Sequence, residues 1–251
     1  MKKILLVFLV SGLITIFLVS CNDLIPSPNE GEGEGEGEEV NRVVMIEAFT
    51  QSNCANCDIV EPILEQIADE YDRSEIILVE ERAYGTYSLD EIRDRYEWYL
   101  PSSSDRGTPN ILFNGLNQWI HGTTTYSVIK SKISIELAKE AKIKIIAERN
   151  SDSITTIITG SIENISTSSL DNLVINGMTF RNRVQTGLKY SVTDILEEQK
   201  ETIANLEPGD IHNFSFTITN INWEANNFDG IIFVQDIDSY KKEILQAIFV
   251  E

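Results

Sequence analysis

Two cysteines separated by two residues are the groups in this sequence best suited to chemistry. The chain contains three cysteines, and two of them stand in the segment Cys54-Ala55-Asn56-Cys57. A pair this close cannot connect distant parts of a fold, so we expect it to serve redox chemistry. The segment follows an apolar run and opens a helical pattern, and the amide groups at a helix N-terminus favour a thiolate. The sequence therefore predicts Cys54 as the nucleophile and Cys57 as the resolving cysteine.

The same cysteine spacing also forms half of many zinc sites. Structural zinc takes four nitrogen or sulfur ligands. The two histidines, His121 and His212, fall in different predicted domains, and the third cysteine, Cys21, has another predicted role. The sequence therefore predicts no metal site, and it indicates no bound cofactor.

Residues 41–141 alternate between strand-like and helical patterns. The expected strands are residues 42–49, 75–79, 110–113 and 117–121, and the expected helices are residues 57–71, 88–100 and 125–141. Ser88 and Glu91 have the spacing of a capping box at the start of the second helix. Strands and helices in this order predict an α/β domain over residues 41–141.

From residue 142 onward, the pattern is strand after strand. The expected strands are residues 142–148, 154–162, 173–180, 212–219, 230–234 and 243–250. Turn residues separate them, as in Glu207-Pro208-Gly209-Asp210. Regularly spaced strands of this kind predict an all-β, immunoglobulin-like sandwich domain over residues 142–251.

Several aromatic side chains and one histidine lie near these motifs. Tyr96, Trp98 and Tyr99 fall on the second predicted helix, where ordinary core packing is expected rather than substrate contact. His121 precedes Gly122 at a predicted turn, and a surface or capping role is expected for it.

The first twenty residues have the organisation of a secretory signal. Lys2 and Lys3 precede an almost wholly apolar stretch from Ile4 to Val19. An uncleaved membrane anchor is the alternative, but a span needs roughly 20 apolar residues. Leu18-Val19-Ser20-Cys21 resembles a lipobox, after which a bacterial signal peptidase cuts and lipid is placed on the cysteine. We therefore predict a signal peptide over residues 1–20, lipidation of Cys21, and attachment to a membrane of the cell envelope, outside the cytoplasm.

Residues 21–40 are expected to form a flexible tether. They contain four consecutive Gly-Glu pairs from Gly31 to Glu38 and have no apolar periodicity. The whole chain carries 40 acidic and 20 basic residues, and no basic stripe stands out. Nucleic acid is therefore excluded as an expected partner, because phosphate binding needs clustered Lys and Arg.

Two segments resemble the active-site motifs of the thioredoxins. Cys57 to Tyr71 resembles the active-site helix, including Pro62 five residues after the second cysteine. Gly107 to Gly115, which contains Thr108-Pro109, resembles the family's cis-proline segment. The resemblance covers about residues 41–141. It implies that Pro109 follows a cis peptide bond and faces the dithiol, that Thr108 binds the backbone of an extended substrate, and that Pro62 kinks its helix.

The sequence departs from the thioredoxin pattern around the dithiol. Thioredoxins usually carry a buried carboxylate six residues before the first cysteine, and this chain has Ala48 there, with Glu47 on the opposite strand face. Asn53 precedes Cys54 in place of the usual aromatic residue. The overall layout, with a lipobox, a thioredoxin-like domain and a trailing β-domain, is also similar to that of the Omp28-like outer-membrane proteins of some Gram-negative bacteria.

Two functions remain open from the sequence. The first is a membrane-anchored thiol–disulfide oxidoreductase that acts on extracytoplasmic proteins with thiols or disulfides, with a membrane redox partner as a further candidate. The alternative is a non-catalytic binding or structural lipoprotein of the envelope, in which Cys54 and Cys57 form a static disulfide. A measured reduction potential separates the two, because structural disulfides usually lie below about −300 mV.

Overall fold

The computed structural model describes residues 40–152, 154–183, 188–220, 222–224 and 227–250. The predicted signal peptide, the predicted lipidation site at Cys21 and all but the last residue of the predicted tether lie outside the described residues. Among the helices of the described part, none is long and apolar enough to cross a membrane.

The first half of the described chain contains the strands and helices in the predicted order. They are β1 (Val44–Gln51), α1 (Cys57–Glu70), β2 (Ile76–Tyr84), α2 (Asp90–Tyr99), β3 (Asn110–Phe113), β4 (Gln118–His121) and α3 (Tyr126–Leu137). The predicted capping box is wrong, because the Ser88 hydroxyl donates to the carbonyl of Gly85 and α2 begins without a side-chain cap. Strand β2 extends five residues beyond its predicted end at residue 79.

The second half is built of strands, as predicted, but it contains more of them. They are β5 (Ile143–Ser151), β6 (Thr155–Asn164), β7 (Leu170–Arg183), β8 (Leu188–Ile195), β9 (Glu201–Leu206), β10 (Ile211–Thr219), β11 (Phe228–Asp236) and β12 (Ile244–Phe249). The sequence analysis missed β8 and β9. Both have polar residues on their half-exposed faces, which weakens the apolar signal.

The pairing of the strands gives a mixed α/β structure with one large sheet. Its order is β12-β11-β7-β8-β2-β1-β3-β4, with β9 added to β7, and β10-β6-β5 form a separate three-stranded sheet. The predicted immunoglobulin-like sandwich is not confirmed, because β7, β8, β11 and β12 extend the sheet of the first half through the parallel pair β2–β8. The boundary near residue 142 falls between α3 and β5 and stays a prediction.

The helices cover the two faces of the large sheet and bury the strand β1 between them. Ala48 packs with Val60 and Leu64 of α1 on one face. Phe49 packs with Tyr96 and Tyr99 of α2 on the other, which confirms the core role expected for these two tyrosines. The same expectation for Trp98 is wrong, because its side chain is exposed. A strand covered on both faces is apolar along most of its length, and the apolar side chains of β1 are fully or almost fully buried. A third core packs β5, β6 and β10 against β7, β11 and β12.

Candidate functional site

The dithiol segment lies where β1 ends and α1 begins. Because β1 and β2 are parallel, their carboxyl ends meet at one edge of the layer, and the turn from Gln51 to Asn56 crosses that edge. Asn53 has a positive φ of 58°, a conformation that Asn tolerates better than most residues. The backbone N–H of Asp58 donates to the carbonyl of Cys54 at 3.0 Å, so Cys54 stands at the first turn of the helix.

Cys54 and Cys57 form a disulfide bond. Cys54 retains 7% of its surface exposed, whereas Cys57 is fully buried. The backbone N–H of Cys57 donates to Cys54 Sγ at 3.1 Å. Attack from solvent can therefore reach Cys54 first, and a thiolate at Cys54 would find a hydrogen-bond donor already in place.

The Thr108-Pro109 segment lies against the same sulfur, as the sequence analysis expected. The Thr108–Pro109 peptide bond is cis. Thr108 Oγ1 and the Thr108 carbonyl oxygen each lie 3.6 Å from Cys54 Sγ. The hydroxyl of Thr108 is thus a second donor that a Cys54 thiolate can use. Pro62 lies inside α1, also as expected.

A buried carboxylate on β2 takes the position next to Ala48. Glu80 is the pairing partner of Ala48, so both side chains face α1, and Glu80 is fully buried. Burial raises the pKa of Glu80 to about 8, an effect opposed by the backbone N–H of Tyr190 that donates to Oε2 at 3.1 Å. Its other oxygen, Oε1, has no hydrogen-bond partner among the described residues. Glu80 is therefore a buried carboxyl group facing α1 that keeps its proton to a higher pH than an exposed carboxyl does.

An ion pair connects this part of β2 to α1. The Arg82 guanidinium donates to Glu61 Oε2 at 3.2 Å and to the carbonyl of Gln51 at 2.6 Å. Glu61 lies one helical turn after Cys57, and burial raises its pKa while Arg82 opposes the rise. The sequence analysis did not single out Glu61, Glu80 or Arg82, although an acidic residue one turn after Cys57 was a signal that could have been used.

Glu47 is committed to a separate network on the opposite face of the sheet. Arg95 Nε donates to Glu47 Oε1 at 2.6 Å, and the Tyr99 hydroxyl donates to Glu47 Oε2 at 2.7 Å. Glu81 lies on the same face, where burial and the neighbouring Glu47 charge raise its pKa well above its ordinary value. Because α1 covers the other face, Glu47 does not replace the missing carboxylate at position 48.

Within the part of the chain that the structure describes, no cluster of three or more His, Cys, Asp or Glu side chains is arranged to hold a metal ion. The two histidines have different hydrogen-bond partners. His121 pairs with Asn110 on β3, and His212 pairs with Glu201 on β9. His121, expected at the surface, is exposed but also lies beside Gly107 of the cis-proline segment.

No protein-family model matches the sequence, and no curated protein matches it. Among solved structures, HBP35 of Porphyromonas gingivalis matches with a TM-score of 0.64 at 14% identity, covering 84% of this chain and 75% of that one. A protein of Agrobacterium tumefaciens matches with a TM-score of 0.57 at 13% identity, covering 83% and 94%. A domain of the outer membrane lipoprotein Omp28 of P. gingivalis matches with a TM-score of 0.32 at 13% identity, covering 44% and 88%. The first two similarities extend over most of this chain, and they show a shared fold.

Proposed function

We propose that this protein is a thiol–disulfide oxidoreductase of the cell envelope. The observation that carries the proposal is the environment of Cys54. Its sulfur stands at the start of a helix, retains some exposure, and lies 3.1 Å from the Cys57 N–H and 3.6 Å from the Thr108 hydroxyl. These donors stabilise a thiolate, which is the form that attacks a disulfide.

In the reduced protein, the Cys54 thiolate attacks a disulfide of the substrate protein. One substrate sulfur leaves and takes a proton from water, while the other remains bonded to Cys54. Cys57 then loses its proton and attacks Cys54 Sγ, which forms the Cys54–Cys57 disulfide and releases the second substrate sulfur as a thiol. The substrate gains two electrons and the dithiol loses two. The reverse sequence oxidises a substrate dithiol.

Glu80, in the ionised form that it gains as pH rises toward its pKa of about 8, is the proposed acceptor of the Cys57 proton. Thioredoxins usually carry a buried carboxylate at the position of Ala48. In this protein, Glu80 is the buried carboxylate paired with Ala48 on the same sheet face. A group whose pKa is about 8 is close in proton affinity to an ordinary thiol, so transfer between them is nearly balanced. Thr108 and Pro109 are the proposed contact residues for the backbone of the substrate.

The proposed substrates are extracytoplasmic proteins with thiols or disulfides, and a membrane redox partner would reset the dithiol. The proposed location is the cell envelope, with lipid on Cys21 as the anchor. The support for this location is the lipobox-like segment at residues 18–21 and the apolar run before it.

Trapping of mixed disulfides tests the proposal. Cys57→Ser removes the resolving thiol, so substrates should remain bonded to Cys54 and migrate as adducts that a reductant dissolves. The double variant Cys54→Ser with Cys57→Ser is the control and should trap nothing. Failure of the wild-type protein to reduce any model disulfide or to oxidise any model dithiol, together with an absence of adducts, would exclude the enzyme.

A static disulfide is the second candidate, and Ala48 at the position where thioredoxins usually carry a buried carboxylate favours it. Measurement of the reduction potential in glutathione or dithiothreitol buffers decides between the two. A value below about −300 mV is typical of structural disulfides, whereas catalytic ones lie higher.

A further inference from the structure

We infer that Asn110 is the positioning residue of the candidate site, because its buried side-chain amide holds residues 105–109 in the conformation that brings Thr108 to Cys54. The inference rests on the proposed function. It makes the Asn110 amide responsible for the backbone conformation that a protein substrate would recognise.

The amide nitrogen of Asn110 donates hydrogen bonds to the backbone of residues 105–109. Asn110 is the first residue of β3 and is fully buried. Its Nδ2 donates to the carbonyl oxygens of Asp105 and Gly107, each at 2.9 Å, and also contacts the Tyr96 hydroxyl. That hydroxyl lies 3.3 Å from the Gly107 carbonyl, to which it also donates. Two residues from different elements thus fix the carbonyl that directly precedes Thr108.

The amide oxygen of Asn110 is held just as firmly. Oδ1 accepts from Trp119 Nε1 at 2.7 Å and lies 3.0 Å from His121 Nδ1, both on β4. An indole nitrogen can only donate, so the contact with Trp119 determines which end of the amide is oxygen. His121 Nδ1 must then carry its proton to serve as the second donor. Every polar atom of the amide is therefore used, which defines a single orientation.

The effect on the dithiol passes through the backbone. Thr108 lies between the fixed carbonyl of Gly107 and the cis bond to Pro109, and its hydroxyl and carbonyl oxygens lie 3.6 Å from Cys54 Sγ. Gly107 is itself packed tightly, since a Cβ there would come within 2.9 Å of His121 Cε1. Asn110 thus acts on Cys54 only by way of Thr108.

A comparison of two disulfide substrates tests this role. Under the proposed function, a protein substrate such as insulin aligns along the Thr108 backbone, whereas a small substrate, oxidised glutathione, makes little use of it. In Asn110→Asp the side-chain volume is kept, but both donors to the Asp105 and Gly107 carbonyls are lost. We expect kcat/KM for insulin to fall about tenfold, mostly through KM, and kcat/KM for oxidised glutathione to change less than about threefold.

Asn114→Asp is the matched control. Asn114 follows the other end of β3, is also fully buried, and donates through Nδ2 to the Val43 carbonyl at 3.2 Å while Oδ1 accepts from the Met45 N–H. A purely structural role predicts that both variants lower thermal stability and lower both activities in parallel. That result, or an unchanged insulin KM in Asn110→Asp, would overturn the inference.

Trp119→Phe provides a second route if Asn110→Asp fails to fold. The indole is partly exposed, and its loss removes one of the two donors to Asn110 Oδ1. We expect a rise in the insulin KM of about threefold without a matching change for oxidised glutathione, and equal changes for both substrates would contradict the inference. A wild-type protein that acts on neither substrate would instead remove the proposed function.

Discussion

Glu80 lies directly across from Ala48 in the parallel pair β1–β2, and both side chains face α1. The carboxylate that thioredoxins usually carry at the position of Ala48 is thus absent, and a buried carboxylate stands one strand away. Glu61 and Glu65 of α1 raise the pKa of Glu80 further, while Arg82 lowers it, but burial remains the main cause.

Replacement of Glu80 by Gln should change how stability depends on pH. The ordinary pKa of the carboxyl is 4.5 and the folded value is about 8. Between these values the unfolded chain releases the proton and the folded chain keeps it, so wild-type stability falls as pH rises through this window. Glu80→Gln should remove about 4 kcal/mol of that loss, as measured by urea unfolding at pH 5 and pH 8.5. The slope that remains belongs in part to Glu81, whose pKa burial also raises.

The same variant tests the proposed proton transfer. Glu80→Gln should lower the rate of disulfide exchange about tenfold near pH 7 and should abolish an inflection near pH 8 in the pH profile. Glu47→Gln is the control, because Glu47 is bonded to Arg95 and Tyr99 on the opposite face. Its exchange profile should keep the inflection. Identical profiles for the two variants would show that Glu80 has no special part in the chemistry.

Replacement of Thr108 by Ala should slow the reaction of Cys54 with an alkylating agent. The Thr108 hydroxyl, 3.6 Å from Cys54 Sγ, is one of two donors near this sulfur, and the Cys57 N–H remains in the variant. The partial loss should slow alkylation by iodoacetamide about twofold to threefold at pH 7, measured in the Cys57→Ser background. Thr125→Ala, at an exposed position before α3, is the control. A faster reaction in Thr108→Ala would mean that the hydroxyl does not favour the thiolate.

Replacement of Arg42 by Met should destabilise the fold. The buried Arg42 guanidinium lies 2.7 Å from Glu243 Oε1 and 3.4 Å from Glu136 Oε2, and it donates to the Leu245 carbonyl at 3.2 Å. Its loss leaves the fully buried Glu136 carboxylate with less compensation, so we expect a decrease of about 3 kcal/mol in the free energy of unfolding. Urea unfolding measures this decrease.

An exposed ion pair supplies the control for Arg42. Arg73 pairs with Asp229 at 2.9 Å, and 61% of the Arg73 side chain is exposed. Arg73→Met should therefore cost about 1 kcal/mol or less. The double variant Arg42→Met with Glu136→Gln should recover at least 1 kcal/mol of the loss expected for Arg42→Met, because the uncompensated charge is gone. Strictly additive losses would show that the two residues are not coupled.

Local signals in the sequence were sufficient for the order of elements around the dithiol. The apolar run before Cys54, the helical spacing after Cys57 and the short strand patterns at residues 110–113 and 117–121 each depend on a few neighbouring residues. The pattern alone therefore predicts β1, α1, β3 and β4. The cis bond at Pro109 was expected from a resemblance confined to nine residues, and it is present.

The charged residues of β2 are a part of the fold that sequence neighbours alone did not predict. Glu80, Glu81 and Arg82 mark the end of the strand when only sequence neighbours are considered, because charged side chains are rarely buried. The strand continues to Tyr84 and buries all three. It does so because β2 lies between β1 and β8, and the pairing with β8 comes from residues more than a hundred positions later.

The sequence by itself determined the dithiol, the cis-proline segment and the helix between β1 and β2, since each depends on residues close together in the chain. Only the tertiary structure decided that Glu80 stands beside Ala48, that Asn110 holds the segment before Thr108, and that β7, β8, β11 and β12 join the sheet of the first half. These relationships depend on strand pairing and burial between distant segments, and single-sequence periodicity carries no record of which strands will meet.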